Sequence, residues 1–263
     1  MTQIAQTHLN ALGADLELSP QMIHELDTLG FTVIHNVIDN DWLEEMRRTI
    51  DILVEREGEN LAIEHHQEEG VTRVANLINK GTVWEKVWAH PLALAACKHI
   101  FGGAFKISSL NAREAHPDCG HQPLHADWKK PRPDFPKVHL VNSIWAIDDL
   151  TRENGAPRII PSTHLRPELP EEVLDDVESA HPDEIYLECP AGSVMIFNAH
   201  TWHGGTINYA GTRRRVLHGL YIDRDDAAQQ DQQKWLTEHT ARRLTPAQKW
   251  LLDVYPFNLK MQV

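Results

Sequence analysis

From residue 105 to residue 221 the sequence is a succession of short apolar runs broken by Gly, Pro and Asp turns, and this pattern narrows the fold most. The runs are 105–113, 138–147, 158–160, 186–188, 193–197 and 214–221. Segments this short, enriched in Val, Ile, Phe and Tyr and closed by turn residues, read as strands. Many in series predict a mostly β sandwich or barrel with helical additions. A short surface helix is expected at 171–180, inside the longest insertion.

The chain before residue 105 reads differently. Residues 1–18 show little periodicity and are expected to lie over the surface. Ser19-Pro20 is a helix start, with Ser19 capping and Pro20 at the first position. Met22, Ile23, Leu26 and Leu29 form its apolar stripe, and Gly30 stops it. A strand is predicted at 31–34, then a helix after Asn40 carrying Leu43, Met46, Ile50, Leu53 and Val54 on one side. The stretch 61–70 is polar; neighbouring His65 and His66 would diverge, so it reads as a loop rather than a metal site. Helical stretches follow at 82–88 and 91–100, with Trp84, Val87 and Trp88 as core residues. The tail at 227–250 reads as polar helix packed on the outside. Residues 1–263 divide into one domain: a helical buttress to about 100, a β core at 101–222 and a helical extension from 223.

Composition excludes some functions. A formal charge of -13 opposes a surface that grips nucleic acid by its phosphates. Three cysteines (Cys97, Cys119, Cys189) make no disulfide framework and fit a reducing compartment. No secretory signal is visible at Met1–Asn10 and no apolar run reaches membrane-span length, so a cytoplasmic protein is expected.

The chemistry centres on Gln122-Pro123-Leu124-His125-Ala126-Asp127-Trp128. On an extended strand His125 and Asp127 point the same way. An imidazole and a carboxylate aimed into one space supply two thirds of a facial metal triad, which leaves positions open for cosubstrate and oxygen on iron(II). The third ligand is expected to be His203, in Ala199-His200-Thr201-Trp202-His203-Gly204-Gly205. A rival set, His116, Cys119, His121 and His125, contains zinc-type ligands but matches no standard finger spacing. Downstream, Arg213-Arg214-Arg215 enters a strand; a fixed Arg suits a carboxylate, and alternation lets at most one or two face the site. Lys129, Lys130, Arg132 and Lys137 follow the first motif in a Pro-broken stretch that reads as a solvated loop, with approach to an anionic group as the alternative.

These residues, in order, resemble the phytanoyl-CoA dioxygenase-like family of iron and 2-oxoglutarate oxygenases. The likeness runs from Phe31 to Tyr221 through Gln122, His125-Ala126-Asp127, Trp145-Ala146-Ile147-Asp148-Asp149, Asn154-Gly155-Ala156-Pro157-Arg158, Pro161-Ser162-Thr163-His164, Ala191-Gly192-Ser193-Val194 and Trp202-His203-Gly204-Gly205. The resemblance implies a double-stranded β-helix (a cupin-like jelly roll) with N-terminal helices on its larger sheet. His125, Asp127 and His203 would then be the iron ligands, and Arg214 and Gln122 would contact 2-oxoglutarate. Gln122 resembles the branch that tailors natural products, where another polar contact stands at the position of Pro157. His164, Asp148, Asp149 and Asn154 read as architecture. Trp128, Lys129, Asn111 and Trp202 are the candidate substrate contacts.

The implied cofactors are Fe(II), 2-oxoglutarate and O2, and the implied reaction is hydroxylation of a C–H bond of a small or medium organic metabolite, with succinate and carbon dioxide released. Desaturation, cyclisation or epimerisation are alternative endings; halogenation is disfavoured because Asp127 is retained. The rival classes are a metal-binding cupin-like protein without oxygenase activity and a structural protein. No nucleic acid or membrane partner is expected, and homodimerisation would use the N-terminal helices.

Overall fold

The computed structural model describes residues 1–64, 67–129 and 132–254. His65, His66 and Lys130 lie outside the described residues.

The helical half comes first. Helix α1 (Gln3–Ala11) buries Ala5 and Leu9, and His8 stacks on Trp250 at 5.3 Å. The segment lies over the surface as a helix despite its weak periodicity: two apolar residues four apart suffice once a neighbouring helix covers them. Helix α2 (Pro20–Thr28) is capped by Ser19, whose hydroxyl accepts from the Met22 N–H at 3.2 Å. Strand β1 (Phe31–Ile34) leads into α3 (Asn40–Glu57), capped by Asp39. A four-residue strand, β2 (Val71–Val74), went unread because its sequence, Val-Thr-Arg-Val, is too short and polar to stand out. Then come α4 (Glu85–Trp88) and α5 (Pro91–Phe101), closed by Gly102 at φ 60°.

The β half contains β3 (Phe105–Ala115), β4 (Leu140–Ala146), β5 (Arg158–Ile159), β6 (Ile185–Tyr186), β7 (Val194–Asn198), β8 (His203–Gly204) and β9 (Arg215–Asp223). Six strands form an antiparallel sheet in the order β1-β7-β4-β9-β3-β2, and three form a smaller one, β6-β5-β8. In place of a helix over 171–180, the insertion before β6 holds a 3-10 turn at Thr163–Leu165 and one short helical turn, α6 (Pro170–Val173). The tail forms three short helices, α7 (Gln232–Trp235), α8 (Glu238–Arg243) and α9 (Pro246–Leu251), and it is not peripheral: Trp250 and Leu251 are buried in the core beneath α1. Among the described residues no helix is long and apolar enough to cross a membrane.

The larger sheet has two working faces. One packs against the helices through Leu110, Ala112, Val141, Trp145, Ile196, Leu217 and Tyr221. The other looks towards the smaller sheet, with Phe31, Ile144, Ala146, Met195, Phe197 and Val216 meeting Ile159, Leu187 and Cys189. A β-bulge between Ile107 and Ser109 changes which residues of β3 face inward. Before it Phe105 and Ile107 face the helices; after it Leu110 and Ala112 do. Ser109, Asn111 and Arg113 thereby turn to the inner side. Ser108, the extra residue, accepts from the Gln229 N–H on its hydroxyl and from the Gln230 N–H on its carbonyl, both at 2.9 Å.

Candidate metal centre

The stretch around His125 is not a strand. It is extended chain that forms one antiparallel bridge, His125 to His203, with both backbone hydrogen bonds exchanged at 2.9 Å. The alternation rule still applies, because extended backbone alternates its side chains whether or not a ladder continues. Asp127 is held two residues on by its N–H to the Ala199 carbonyl, at 2.9 Å. Nε2 of His125 and of His203 lie 3.7 and 3.6 Å from Asp127 Oδ1. One ligand atom from each residue falls within 4.8 Å of the other two, and among the described residues no other group of three His, Cys, Asp or Glu is so gathered. The zinc-type alternative is not assembled: His116 pairs with Thr72 and His121 with Glu178, at 2.7 and 2.8 Å.

The surroundings prepare the two imidazoles for a metal. Nδ1 of His125 lies 2.8 Å from the Pro123 carbonyl, and Nδ1 of His203 lies 2.9 Å from the Thr201 carbonyl. A carbonyl can only accept, so Nδ1 carries the proton and Nε2 of the neutral ring is left free towards Asp127. Asp127 Oδ2 accepts from Asn142 Nδ2 at 3.0 Å, which orients the carboxylate with Oδ1 towards the histidines. Burial pulls His125 below its ordinary pKa, helped by the like charge of His203 and opposed by Asp127. Burial opposes the charged form of Asp127 too, yet His203, His125 and the Asn142 amide hold it well below the usual carboxylate range. For His203 burial lowers and Asp127 raises, and the net direction is up. A largely buried site with two lone pairs and one carboxylate converging fits a divalent transition metal.

The triad opens on a cavity of about 380 Å³. Gln122, Arg214, Asn111 and Lys129 all line it. Arg214 is 2% exposed, and among the described residues it makes no hydrogen bond or ion pair. Burial, then Arg113, lowers it to about 9, so it stays charged at neutral pH. Its neighbours face outwards and are spoken for: Arg213 pairs with Glu114 and Asp51, and Arg215 with Asp148. Gly204 and Gly205 let the chain come close; a Cβ at Gly204 would stand 2.7 Å from the Gln122 carbonyl, and one at Gly205 would clash with the Gly120 carbonyl. Pro157 lines the cavity and offers it no donor.

Two expected substrate contacts are placed elsewhere. Trp128 packs with Leu140, Ala199 and Ile222 and stacks on His139 at 4.3 Å. Trp202 joins Leu124, Ala126 and Ile160, its indole N–H donating to the Glu168 carbonyl. Neither lines the cavity: on extended chain the residue next to an inward ligand points outward. The basic loop is also not uniformly solvated, since Arg132 is buried and donates to the Arg166 and Lys137 carbonyls. His164 sits under Gly30 and near the Asp27 carbonyl, away from the triad; Asp149 and Asn154 bond backbone groups. The cavity residues that the sequence did not reveal are Arg73, Arg113, Ser109, His218 and Gln229. Glu68 bridges Arg73 and Arg113 from behind. A larger groove of about 680 Å³ lies beside α2 and α5, but it gathers no ligand set.

Comparison with known proteins agrees with this geometry. The family description Phytanoyl-CoA dioxygenase (PhyH) matches residues 26–216. Dioxygenase aneA of Aspergillus aculeatus is 25% identical over 254 residues, covering 89% of this chain and 83% of its own. Dioxygenase af480 of Aspergillus fumigatus is 27% identical over 147 residues, 55% of this chain, and the match spans only 46% of that protein. Among solved structures, HygX from Streptomyces hygroscopicus, with nickel and 2-oxoglutarate bound, gives a TM-score of 0.67 at 15% identity over 81% of this chain and 90% of its own. The non-heme α-ketoglutarate dependent carbocyclase SnoK from nogalamycin biosynthesis gives 0.66 at 20% identity over 89% and 94%. These structural likenesses speak for the fold, whereas the family match spans most of the sequence, both histidines and the aspartate of the triad included. The chain belongs to the phytanoyl-CoA dioxygenase family of non-heme iron, 2-oxoglutarate-dependent dioxygenases.

Proposed function

We propose that this protein is an oxygenase that oxidises an unactivated C–H bond of a small or medium organic metabolite, with hydroxylation as the default outcome. The two sheets and their helices are read as one double-stranded β-helix domain. His125, Asp127 and His203 would hold iron(II), and Arg214 would anchor the far carboxylate of 2-oxoglutarate, with Gln122 as a second contact. The observation that carries this is a converging triad with fixed histidine tautomers beside a buried guanidinium that has no partner of its own. Bound iron(II) and 2-oxoglutarate would supply the oxidising power, coupling decarboxylation to succinate with C–H oxidation. This chain's own residues orient and exclude: Asn142 aims the carboxylate, the carbonyls of Pro123 and Thr201 fix the rings, and the apolar layer under Ile144 and Phe197 keeps that side dry. Cyclisation or epimerisation is a second reading, since the carbocyclase SnoK and the epimerase SnoN are among the structural neighbours; placement of the substrate would decide.

The test is anaerobic titration of iron(II)-loaded protein with 2-oxoglutarate, beside Asp127→Ala. We expect a weak visible charge-transfer band in the parent and none in the variant. Confirmed iron loading with no band would overturn the cosubstrate assignment and leave a metal-binding protein without oxygenase activity.

A further inference from the structure

Ligand cavities are mostly apolar with a few placed polar groups. Here the polar groups are many: Ile144, Leu220, Pro123 and Pro157 are the only apolar side chains that line the cavity among the described residues. Among the described residues four cationic side chains line it, Arg73, Arg113, Arg214 and Lys129, and Asp127 is the only carboxylate. Glu68, behind the wall, is shared between Arg73 and Arg113. His218 adds no charge, because burial and then Arg73 and Arg113 hold it well below its ordinary value. The cofactors do not change the balance, since iron(II) carries two positive charges and 2-oxoglutarate two negative. Among the described residues a surplus of two positive charges therefore remains in the loaded site, within a protein whose formal charge is -13. Arg73, Arg113 and Arg214 carry their charge buried and Lys129 stands exposed at the rim, so the cavity favours an anionic ligand.

The wall also offers a directed donor. Asn111 Oδ1 accepts from the Asn76 N–H at 3.0 Å and from Gln230 Nε2 at 2.7 Å. Both bonds fix the flip of the amide, which leaves Asn111 Nδ2 on the cavity wall with no protein acceptor among the described residues. Gln230 comes from the segment after residue 216, beyond the family match, and holds the Asn111 amide from behind the wall. The cavity's 380 Å³ is near the lower end for ligand sites and must house 2-oxoglutarate as well.

We propose that the substrate is a small, oxygen-rich anion bearing a carboxylate or phosphate, held by Lys129, Arg113 and the Asn111 amide. This rests on the iron and 2-oxoglutarate reading above and names its substrate class. The test uses nickel(II) in place of iron(II), which blocks turnover, with 2-oxoglutarate saturating and both loadings verified by calorimetry. Glycerol 3-phosphate, glycerate and glycerol are then titrated at constant ionic strength. At least one anion is expected to bind about tenfold or more tighter than glycerol, and the tighter of the two identifies the headgroup. Lys129 is exposed, so its variants will fold. Lys129→Glu cancels the surplus and should remove the preference while 2-oxoglutarate stays bound; Lys129→Gln should show an intermediate loss. Equal affinity for all three probes, no saturable anion binding, or a preference intact in Lys129→Glu would overturn the inference. Failure to load metal and 2-oxoglutarate sinks the proposed function and this inference together; loading without anion preference sinks the inference alone.

Discussion

Strand β9 presents Leu217 and Tyr221 to the helices on one side and His218 to the cavity on the other, with Arg214 just ahead of the strand on the cavity side. Its partner β3 does the same, with Leu110 and Ala112 outward and Asn111 and Arg113 inward. One face is a dry apolar layer in which Trp145 touches His90 and Trp42 edge-on at 5.3 and 6.3 Å. The other buries three guanidiniums, with Glu68 bridging two of them from behind and Asp127 on the wall. The same strands thus carry two unlike tasks. The helical face supplies the burial that stabilises the sheet, and that stability lets the inner face hold charge that no folding requirement explains.

The largest expected effect tests the outer face. Trp145 is fully buried, with its indole N–H on Ser143 Oγ at 3.0 Å. Trp145→Ala should cost about 3–5 kcal/mol of stability. Denaturant titration should show it, and metal affinity of the remaining folded protein should be unchanged. A variant that keeps its stability but loses metal would show that the two faces are not separable.

Next comes the inner face. Arg214→Met removes a buried charge that has no protein partner. We expect 2-oxoglutarate binding to weaken by about 2–3 kcal/mol, while the unfolding midpoint rises, since an uncompensated charge is replaced by an apolar side chain. Calorimetry with nickel(II) and a thermal melt read both quantities. A fall in both would mean that Arg214 supports the fold and would erase the contrast. Asn142→Ala should act on the metal alone. Freed of its amide, Asp127 would rotate, and metal affinity should drop about 10- to 100-fold with stability changed by less than about 1 kcal/mol.

What could be read from sequence divides along the same line. Alternation put His125 and Asp127 on one side, whereas His203 and the choice of Arg214 among three arginines came from the family resemblance, because neither follows from local spacing. Helices α2, α3 and α5 announced themselves through caps and apolar stripes. The rest of the cavity was not legible, for non-local reasons. Arg73 lies on a four-residue strand without an apolar pattern, and the bulge at Ser108 resets the alternation that would have pointed Asn111 and Arg113 inward. The amide of Gln230 meets Asn111 from 119 residues away. Trp128 and Trp202 misled for a related reason: nearness in sequence to a ligand is not nearness in space when side chains alternate.

The smallest effect asks whether the inner face is also the acid-sensitive one. Glu68 is pulled by burial towards a higher pKa, but hydrogen bonds and charge from Arg113 and Arg73 win and lower it from 4.5 to about 2. A carboxyl whose folded value lies below its unfolded value contributes its full stability above the unfolded value and loses it as pH falls through the folded one. The window is therefore pH 4.5 down to about 2. Between pH 7 and pH 4 only the first part of the loss is reached, about 1 kcal/mol. Denaturant midpoints measured across that range should show it, and Glu68→Gln should remove the slope. That variant should also be less stable at pH 7, because Arg73 and Arg113, 9% and 4% exposed, would face each other without a counter-charge. If its acid slope matched the parent's, the sensitivity would belong to carboxylates outside the cavity. The inner face would then hold its charges independently of acid, and its positive surplus would be a property of the site alone.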